Sequence, residues 1–252
     1  MNKTYRVDII IPVYNSKNFI LQTLKSVIRQ TYKNWRIVLV DDNSNDGTNE
    51  IIRNFINNNI NKRKIIFIKN KKNKGQAYSR NLALKYCNSE YIAFIDSDDL
   101  WEKNKLKKQI KYMLNNGYSF TYSDYKTIKK NKIKIIKTPN FFNYKKFVKN
   151  TSIATSTMIL KKKILNNIFF PKLKLCEDYY FKCQLLKSND AYKCSNIYSF
   201  YRLRDNSLQS NRFRSIFALW NINKNLNKMN YIDNLISIFL ITYNSLKKYA
   251  FR

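Results

Sequence analysis

Four short runs constrain this chain more than anything else in it: VDIII, WRIVLV, KIIFI and YIAFI. Each is almost continuously apolar. A strand wetted on one side alternates polar and apolar residues, so unbroken runs belong to strands covered on both faces, as in a parallel sheet. Between them lie stretches with helical spacing. Residues 19–30 place Phe19, Ile20, Leu24, Val27 and Ile28 at that spacing, and residues 49–56, 76–87 and 100–114 are read as helices too. Regular strand–helix alternation predicts a doubly wound α/β sheet, whose ligands bind beyond the carboxyl ends of the strands.

Strands are expected at 7–11, 35–40, 65–68, 91–95, 118–122 and 157–160, with a loop at 41–47. Residues 126–137 read as a solvated hairpin or loop, 177–187 as a helix opened by an acidic pair, and 191–201 as extended chain. From Arg214 onward the pattern is amphipathic and helical. The chain thus divides into an α/β domain at 1–213 and a helical tail at 214–252.

At 252 residues the chain is long enough for one sizeable core. It contains no histidine. That removes Ser-His-Asp and Cys-His catalysis and leaves Asp or Glu as the natural general base. Its four cysteines, Cys87, Cys176, Cys183 and Cys194, form no C-x-x-C pair. Free thiols in a reducing cytosol are expected, and a zinc site is not. No run approaches the roughly 20 apolar residues that span a bilayer. The N-terminal apolar run is broken by Asp8 and Pro12, unlike a secretory signal. A soluble or membrane-surface protein is expected. The formal net charge of +32 admits two readings: a bias toward Lys and Asn codons, or attraction to nucleic acid, an acidic membrane face or phosphorylated substrates.

Acids are scarce, 16 against 48 basic residues, and eight of them fall in three clusters. These are Asp41, Asp42 and Asp46; Asp96, Asp98 and Asp99; and Glu177 with Asp178. The first two clusters directly follow apolar strands. Carboxylates crowded at a strand end are unfavourable unless a cation or donors offset them. Mg2+ or Mn2+ does so while sharing oxygen ligands with substrate phosphates. Asp46, in NDGT, reads as a turn leading into a helix cap. Asp99 is open between capping the next helix and supporting a metal. Asp96 and Asp98 form a D-x-D arrangement at a strand end, which points to function.

IIIPVYN, TLKSVIRQTYKNWRIVLVDDNSNDGT, NKGQAYSRNLAL and YIAFIDSDDLW, in that order and spacing, resemble the family 2 glycosyltransferases of GT-A fold. FTYSDY, TSIATSTMIL, CEDYYF and YRLRDNSLQSN also fit, and the likeness is greatest to bacterial enzymes that build cell-surface polysaccharide of the teichuronic-acid and lipopolysaccharide kind. The resemblance implies a Rossmann-like nucleotide-binding half, a mixed central sheet and C-terminal helices. It implies metal-dependent, inverting transfer from a nucleotide-sugar, a UDP-sugar in the first instance, to a hydroxyl of a glycan or lipid-linked acceptor. The setting would be the cytoplasm, at the inner face of the cell membrane. By the same resemblance Pro12, Val13 and Tyr14 form the first loop, with Tyr14 near the base. Asp42 hydrogen-bonds the base, and Gly75, Gln76 and Arg80 lie near the nucleotide and its phosphates. Asp96, with Ser97 beside it, contacts the ribose, Asp98 ligates the metal, and Asp178 is the catalytic base. Some relatives place a histidine near YRLRDNSLQS; here Arg202 or Arg204 stands as the phosphate-side candidate.

Two rival functions remain open at this level. A nucleic-acid-binding protein would account for the charge and the 15% aromatic content, but no binding motif is visible. A catalytically inactive relative would bind the sugar nucleotide without turnover. The tail could lie in an anionic membrane interface, pack on the domain, or form a homodimer contact, and an amphipathic face alone does not choose.

Overall fold

The structure, a computed structural model, describes residues 5–129, 132–203 and 212–249. In its first half β1 (Val7–Val13), α1 (Ile20–Ile28), β2 (Trp35–Asp41), α2 (Thr48–Asn57), β3 (Ile65–Lys69), α3 (Gln76–Tyr86) and β4 (Tyr91–Phe94) alternate as the sequence predicts. β1 pairs in parallel with β2 and β4, and β2 with β3. The second half adds β5 (Leu100–Trp101), α4 (Lys105–Asn116), β6 (Phe120–Lys129), β7 (Lys132–Ile136), β8 (Phe141–Phe142), a one-turn α5 (Tyr144–Phe147), β9 (Ile159–Lys161), α6 (Glu177–Ser188) and β10 (Ala191–Arg202). One ten-stranded sheet runs β3-β2-β1-β4-β9-β6-β10-β5, with β7 on β6 and β8 on β10. β9 lies antiparallel between β4 and β6, which makes the sheet mixed.

The unbroken apolar runs now have their reason. Ile9, Ile11, Ile37 and Leu39 point to one face and pack with Leu24, Ile52 and Leu106 of α1, α2 and α4. Ile10, Val38 and Val40 point to the other and pack with Ala83, Leu84, Phe181 and Leu185 of α3 and α6. Asp8 interrupts this pattern, yet it is fully buried. It sits opposite Arg36 in the β1–β2 register and accepts both Nε and Nη2 of that guanidinium at 2.9 Å. The backbone N–H groups of Asn88 and Ser89 also donate to it. Burial pushes the carboxyl up, but these donors outweigh it and leave its pKa below the ordinary value.

Two local expectations shift and one, the role of Asp46, holds. The helix expected from residue 100 begins at Lys105, because Leu100–Trp101 is drawn into a strand against Ser199 and Phe200 of β10. The strand expected at 118–122 instead spans Phe120–Lys129 and, with β7, forms an antiparallel hairpin. Asp46 serves α2 as a cap: it accepts the backbone N–H of Thr48 at 3.1 Å and that of Lys17 at 3.0 Å.

The tail forms α7 (Arg212–Asn221), a π-helical turn at Ile222–Leu226, and α8 (Tyr231–Tyr249). Leu219, Ile222 and Ile241 join the core on the α3–α6 side. Buried Asn223, in the π turn, accepts from Tyr179 Oη at 2.7 Å and donates to Ser237 Oγ at 2.9 Å, which ties both tail elements to α6. Among the described residues no helix is long and apolar enough to cross a membrane. All four cysteines are free thiols.

Candidate active site

Because β1 to β4 run parallel, their carboxyl ends share one edge, and Tyr14, Asp42, Asn70 and Asp96 emerge there. Helix α3 starts at the same edge. Gly75 precedes it with φ of 89°, a conformation that suits glycine. Its N–H donates to Asp42 at 2.7 Å, and Asn70 Nδ2 donates to the same carboxylate at 2.6 Å. Buried Asp42 therefore ties the end of β2 to the start of α3.

One turn into α3, Arg80 is 2% exposed. Its Nη2 donates to Asp96 at 2.7 Å and its Nη1 to Glu177 at 2.8 Å, while the guanidinium lies 5.1 Å from the Phe170 ring. Burial works against the cation, but Asp96, Glu177 and Asp178 together hold it firmly charged. Glu177 is pushed above the usual carboxylate range by burial, which the attraction of Arg80 only partly offsets.

Asp178 meets a different partner. It accepts from Lys182 Nζ at 2.7 Å and from Thr155 Oγ1 at 3.1 Å. Lys182 is buried and also donates to Ile153 O at 2.8 Å. Burial alone would raise the Asp178 pKa; the Lys182 ammonium, with help from Arg80 and Thr155, brings it down to about 2.

Ser156 joins the acidic loop to this region. Asp96 N–H donates to Ser156 Oγ at 3.0 Å, and that hydroxyl donates to Asp99. The Ser156 carbonyl accepts from Trp101 Nε1 at 2.7 Å and Ser199 Oγ at 2.9 Å. Asp99 is buried, and burial, followed by Asp98 and Asp96, raises its pKa well above the ordinary value. Arg202 binds the same loop: its N–H donates to Asp99 at 3.2 Å and its Nη1 to the Asp98 carbonyl at 2.9 Å.

A cavity of about 580 Å³ gathers these groups. Gln76, Arg80, Asp96, Asp99, Glu177 and Asp178 line it, and Ile216, Leu219, Ile241 and Leu246 of the tail form an apolar part of its wall. Of the residues singled out in the sequence, Gln76, Arg80, Asp96, Asp99, Glu177 and Asp178 meet here; Gln76 Nε2 donates to Asp96 at 3.3 Å. Pro12 and Val13 are buried at the end of β1, and Tyr14 is about half exposed beyond them. These three, with Asp42 and Gly75, stand outside the residues lining the cavity. Ser97 is paired with Ser16 through hydroxyls 2.6 Å apart. Asp98 is half-buried and is not among the lining residues, although its neighbours Asp96 and Asp99 are. Among the described residues no group of three or more carboxylates or thiols is gathered to hold a metal. Arg204 lies outside the described residues. Sequence reasoning gave no role to Lys182, Thr155 or Ser156. Lys182 stands four residues after Asp178 on a helix, a legible ion-pair spacing; Thr155 and Ser156 sit in an irregular segment that carries no periodic signal.

A Rossmann-like half with carboxylates at its ligand edge, extended by a mixed sheet that brings an acidic helix over that edge, defines the GT-A class of nucleotide-sugar-dependent transferases. The model of glycosyl transferase family 2 matches residues 8–181, and the chain belongs to that family. It is similar to the Escherichia coli UDP-Glc:alpha-D-GlcNAc-diphosphoundecaprenol beta-1,3-glucosyltransferase WfgD, 38% identical over 256 residues that cover 98% of this chain and 96% of the relative. It is 30% identical over 248 residues to the putative teichuronic acid biosynthesis glycosyltransferase TuaG of Bacillus subtilis, covering 96% of each. Among solved structures it resembles Staphylococcus aureus TarS 1–349 in complex with UDP-GlcNAc, with a TM-score of 0.72 and 20% identity over 96% of this chain and 73% of that one. The mannosyltransferase PcManGT of Pyrobaculum calidifontis, in complex with GDP-Man and Mn2+, gives a TM-score of 0.73 and 16% identity over 95% and 70%. The fold and family expected from the sequence are those found, and the chain is a glycosyltransferase.

Proposed function

We propose that this enzyme moves a sugar, with inversion, from a UDP-sugar to a hydroxyl of a lipid-linked saccharide during surface-polysaccharide assembly, working at the inner face of the cell membrane. The observation that carries this reading is Asp178, an ionised carboxylate in the cavity that Arg80 and Asp96 share. Two E. coli relatives, WfgD and WfaP, carry names that specify transfer from UDP-Glc to a GlcNAc-diphosphoundecaprenol, which makes UDP-glucose the first donor to test.

Pro12, Val13 and Tyr14 would form the first loop, with Tyr14 near the base and Asp42 bonded to it; Asp96 and Ser97 would meet the ribose, and Gly75, Gln76 and Arg80 the diphosphate side. The donor set suits Mg2+ or Mn2+: such ions take one or two carboxylates and fill their remaining positions with substrate phosphate and water. Asp98 would hold the ion, which when bound offsets the charge growing on the leaving diphosphate.

Asp178 takes the proton of the acceptor hydroxyl as its oxygen attacks the anomeric carbon and the bond to the diphosphate oxygen breaks. One displacement inverts the centre. Lys182 and Thr155 fix the orientation of the carboxylate and keep it ionised. A screen of UDP-sugars with Mn2+ or Mg2+, following release of UDP, is expected to find one donor turned over in the presence of a lipid-linked saccharide. Release from no nucleotide-sugar under any metal would contradict the proposal.

A further inference from the structure

Helix α8 turns polar side chains as well as apolar ones to the core and leaves a long apolar row outside. A surface helix normally turns its apolar stripe to the core. Here the inward face carries Asn234, Ser237 and Ile241, all buried, with half-buried Ile238 packed on the core beside them. Asn234 Nδ2 donates to Trp220 O at 3.1 Å, and Ser237 Oγ donates to Val148 O at 2.6 Å. One turn beyond Ile241, Asn244 Nδ2 donates to Lys149 O at 3.2 Å. The outward face carries Ile232, Leu235, Ile236, Phe239, Tyr243 and Leu246, which fall on one side of the helix, every one exposed. Phe239 is 70% exposed, and Phe217 of α7 is 68% exposed. A row this long, left in water while hydrogen-bonding side chains are turned inward, marks a surface that meets an apolar phase.

The charge around it selects the occupant. Residues 212–249 hold six Lys or Arg and a single acid, Asp233. Arg214, Lys224, Lys228 and Lys247 are exposed on the same two-helix unit. A second copy would bring another formal charge of +32 against this one, whereas an anionic bilayer complements it. The stripe is also continuous with the catalytic cavity, since Leu246 belongs to both and Thr242, Ser245 and Lys248 of the same helix line the cavity wall.

We propose that the α7–α8 unit docks this enzyme flat on an anionic lipid surface, inserting Phe217, Phe239 and the α8 stripe among the acyl chains and setting the α8 wall of the catalytic cavity against the bilayer. The bilayer contact stands on α8 itself; only the entry of a lipid-linked acceptor along that wall rests on the function proposed above.

The test uses the full chain and sedimentation with vesicles of phosphatidylcholine alone or mixed with phosphatidylglycerol. The wild type is expected to sediment with the mixed vesicles, less so at high salt. The double variant Phe217→Asp/Phe239→Asp, in which neither residue lines the cavity, is expected to lose about tenfold or more in vesicle affinity. Its UDP release with a water-soluble saccharide acceptor should match the wild type. The docking proposal is overturned if the wild type ignores anionic vesicles or if the double variant binds them equally well. It is also overturned if light scattering shows a dimer that the double variant splits while vesicles are ignored, which would make the face a contact between copies. A wild type that sediments but releases UDP from no UDP-sugar would instead count against the function proposed above and leave the docking standing.

Discussion

Arg80 and Glu177 stand 97 positions apart in the chain, yet Arg80 Nη1 donates to Glu177 Oε1 at 2.8 Å inside the core. That bond, with its twin to Asp96 at 2.7 Å, locks α3, the acidic loop after β4 and the first turn of α6 into one unit. It also separates two neighbouring acids that look alike in the sequence. Glu177 is consumed by Arg80, and Asp178 is left to Lys182 and the cavity.

Arg80→Ala leaves Asp96 and Glu177 with an uncompensated buried charge. Breaking such a pair costs about 3–5 kcal/mol, so urea denaturation should show a loss of that order. Arg80→Lys should recover only part of it, because an ammonium does not reproduce the two-armed geometry.

Ser156→Ala removes one hydroxyl, which strands the Asp96 N–H and leaves the buried Asp99 carboxyl with the Arg202 N–H but without its Ser156 donor. Unsatisfied buried polar groups cost about 1–3 kcal/mol. Both the melting temperature and the transfer rate should fall, whereas Ser152→Ala, whose hydroxyl donates to Asn150 Oδ1 in the neighbouring loop, should leave the rate unchanged.

Lys105 is fully buried without a carboxylate partner; its Nζ donates to Gln109 at 2.9 Å and lies 4.5 Å from the Trp101 ring. Burial lowers its pKa from 10.5 to about 7. Between those two values the unfolded chain holds a proton that the folded one lacks, so Lys105 makes stability rise with pH across that window. Lys105→Met should flatten the rise, so that its stability relative to the wild type is most favourable at pH 6 and declines toward pH 10. Chemical denaturation of both proteins from pH 6 to pH 10 checks it.

Chelation with EDTA is expected to abolish transfer and added Mn2+ to restore it. Asp98→Asn should raise the Mn2+ concentration needed for half-maximal rate, whereas Asp46→Asn, at the α2 cap, should leave that concentration unchanged.

The parallel half was legible because periodicity and burial agree there: an isoleucine at position 9, 10 or 11 is buried whichever face it takes. The three acidic clusters were legible because acids are scarce, and two of them lie at the carboxyl edge. The departures have physical reasons. Leu100 and Trp101 continue the amphipathic spacing of 100–114, but pairing with β10 draws them into a strand, a contact between residues about 100 positions apart. Ser156 gave no signal because its role depends on hydrogen bonds to Asp96, Asp99, Trp101 and Ser199, which only tertiary structure assembles. The tail read correctly as amphipathic, but periodicity does not say which face turns inward; Asn234 and Ser237 answer that through their partners.

Asp178→Asn is the variant to measure against Glu177→Gln, following sugar transfer in one assay and donor binding by calorimetry in another. If Asp178 is the base, its amide should lower the rate by about 10²–10⁴-fold while donor affinity stays near the wild-type value, and Glu177→Gln should be far milder. Transfer by Asp178→Asn at the wild-type rate, with the donor bound normally, would show that the proton leaves by another route.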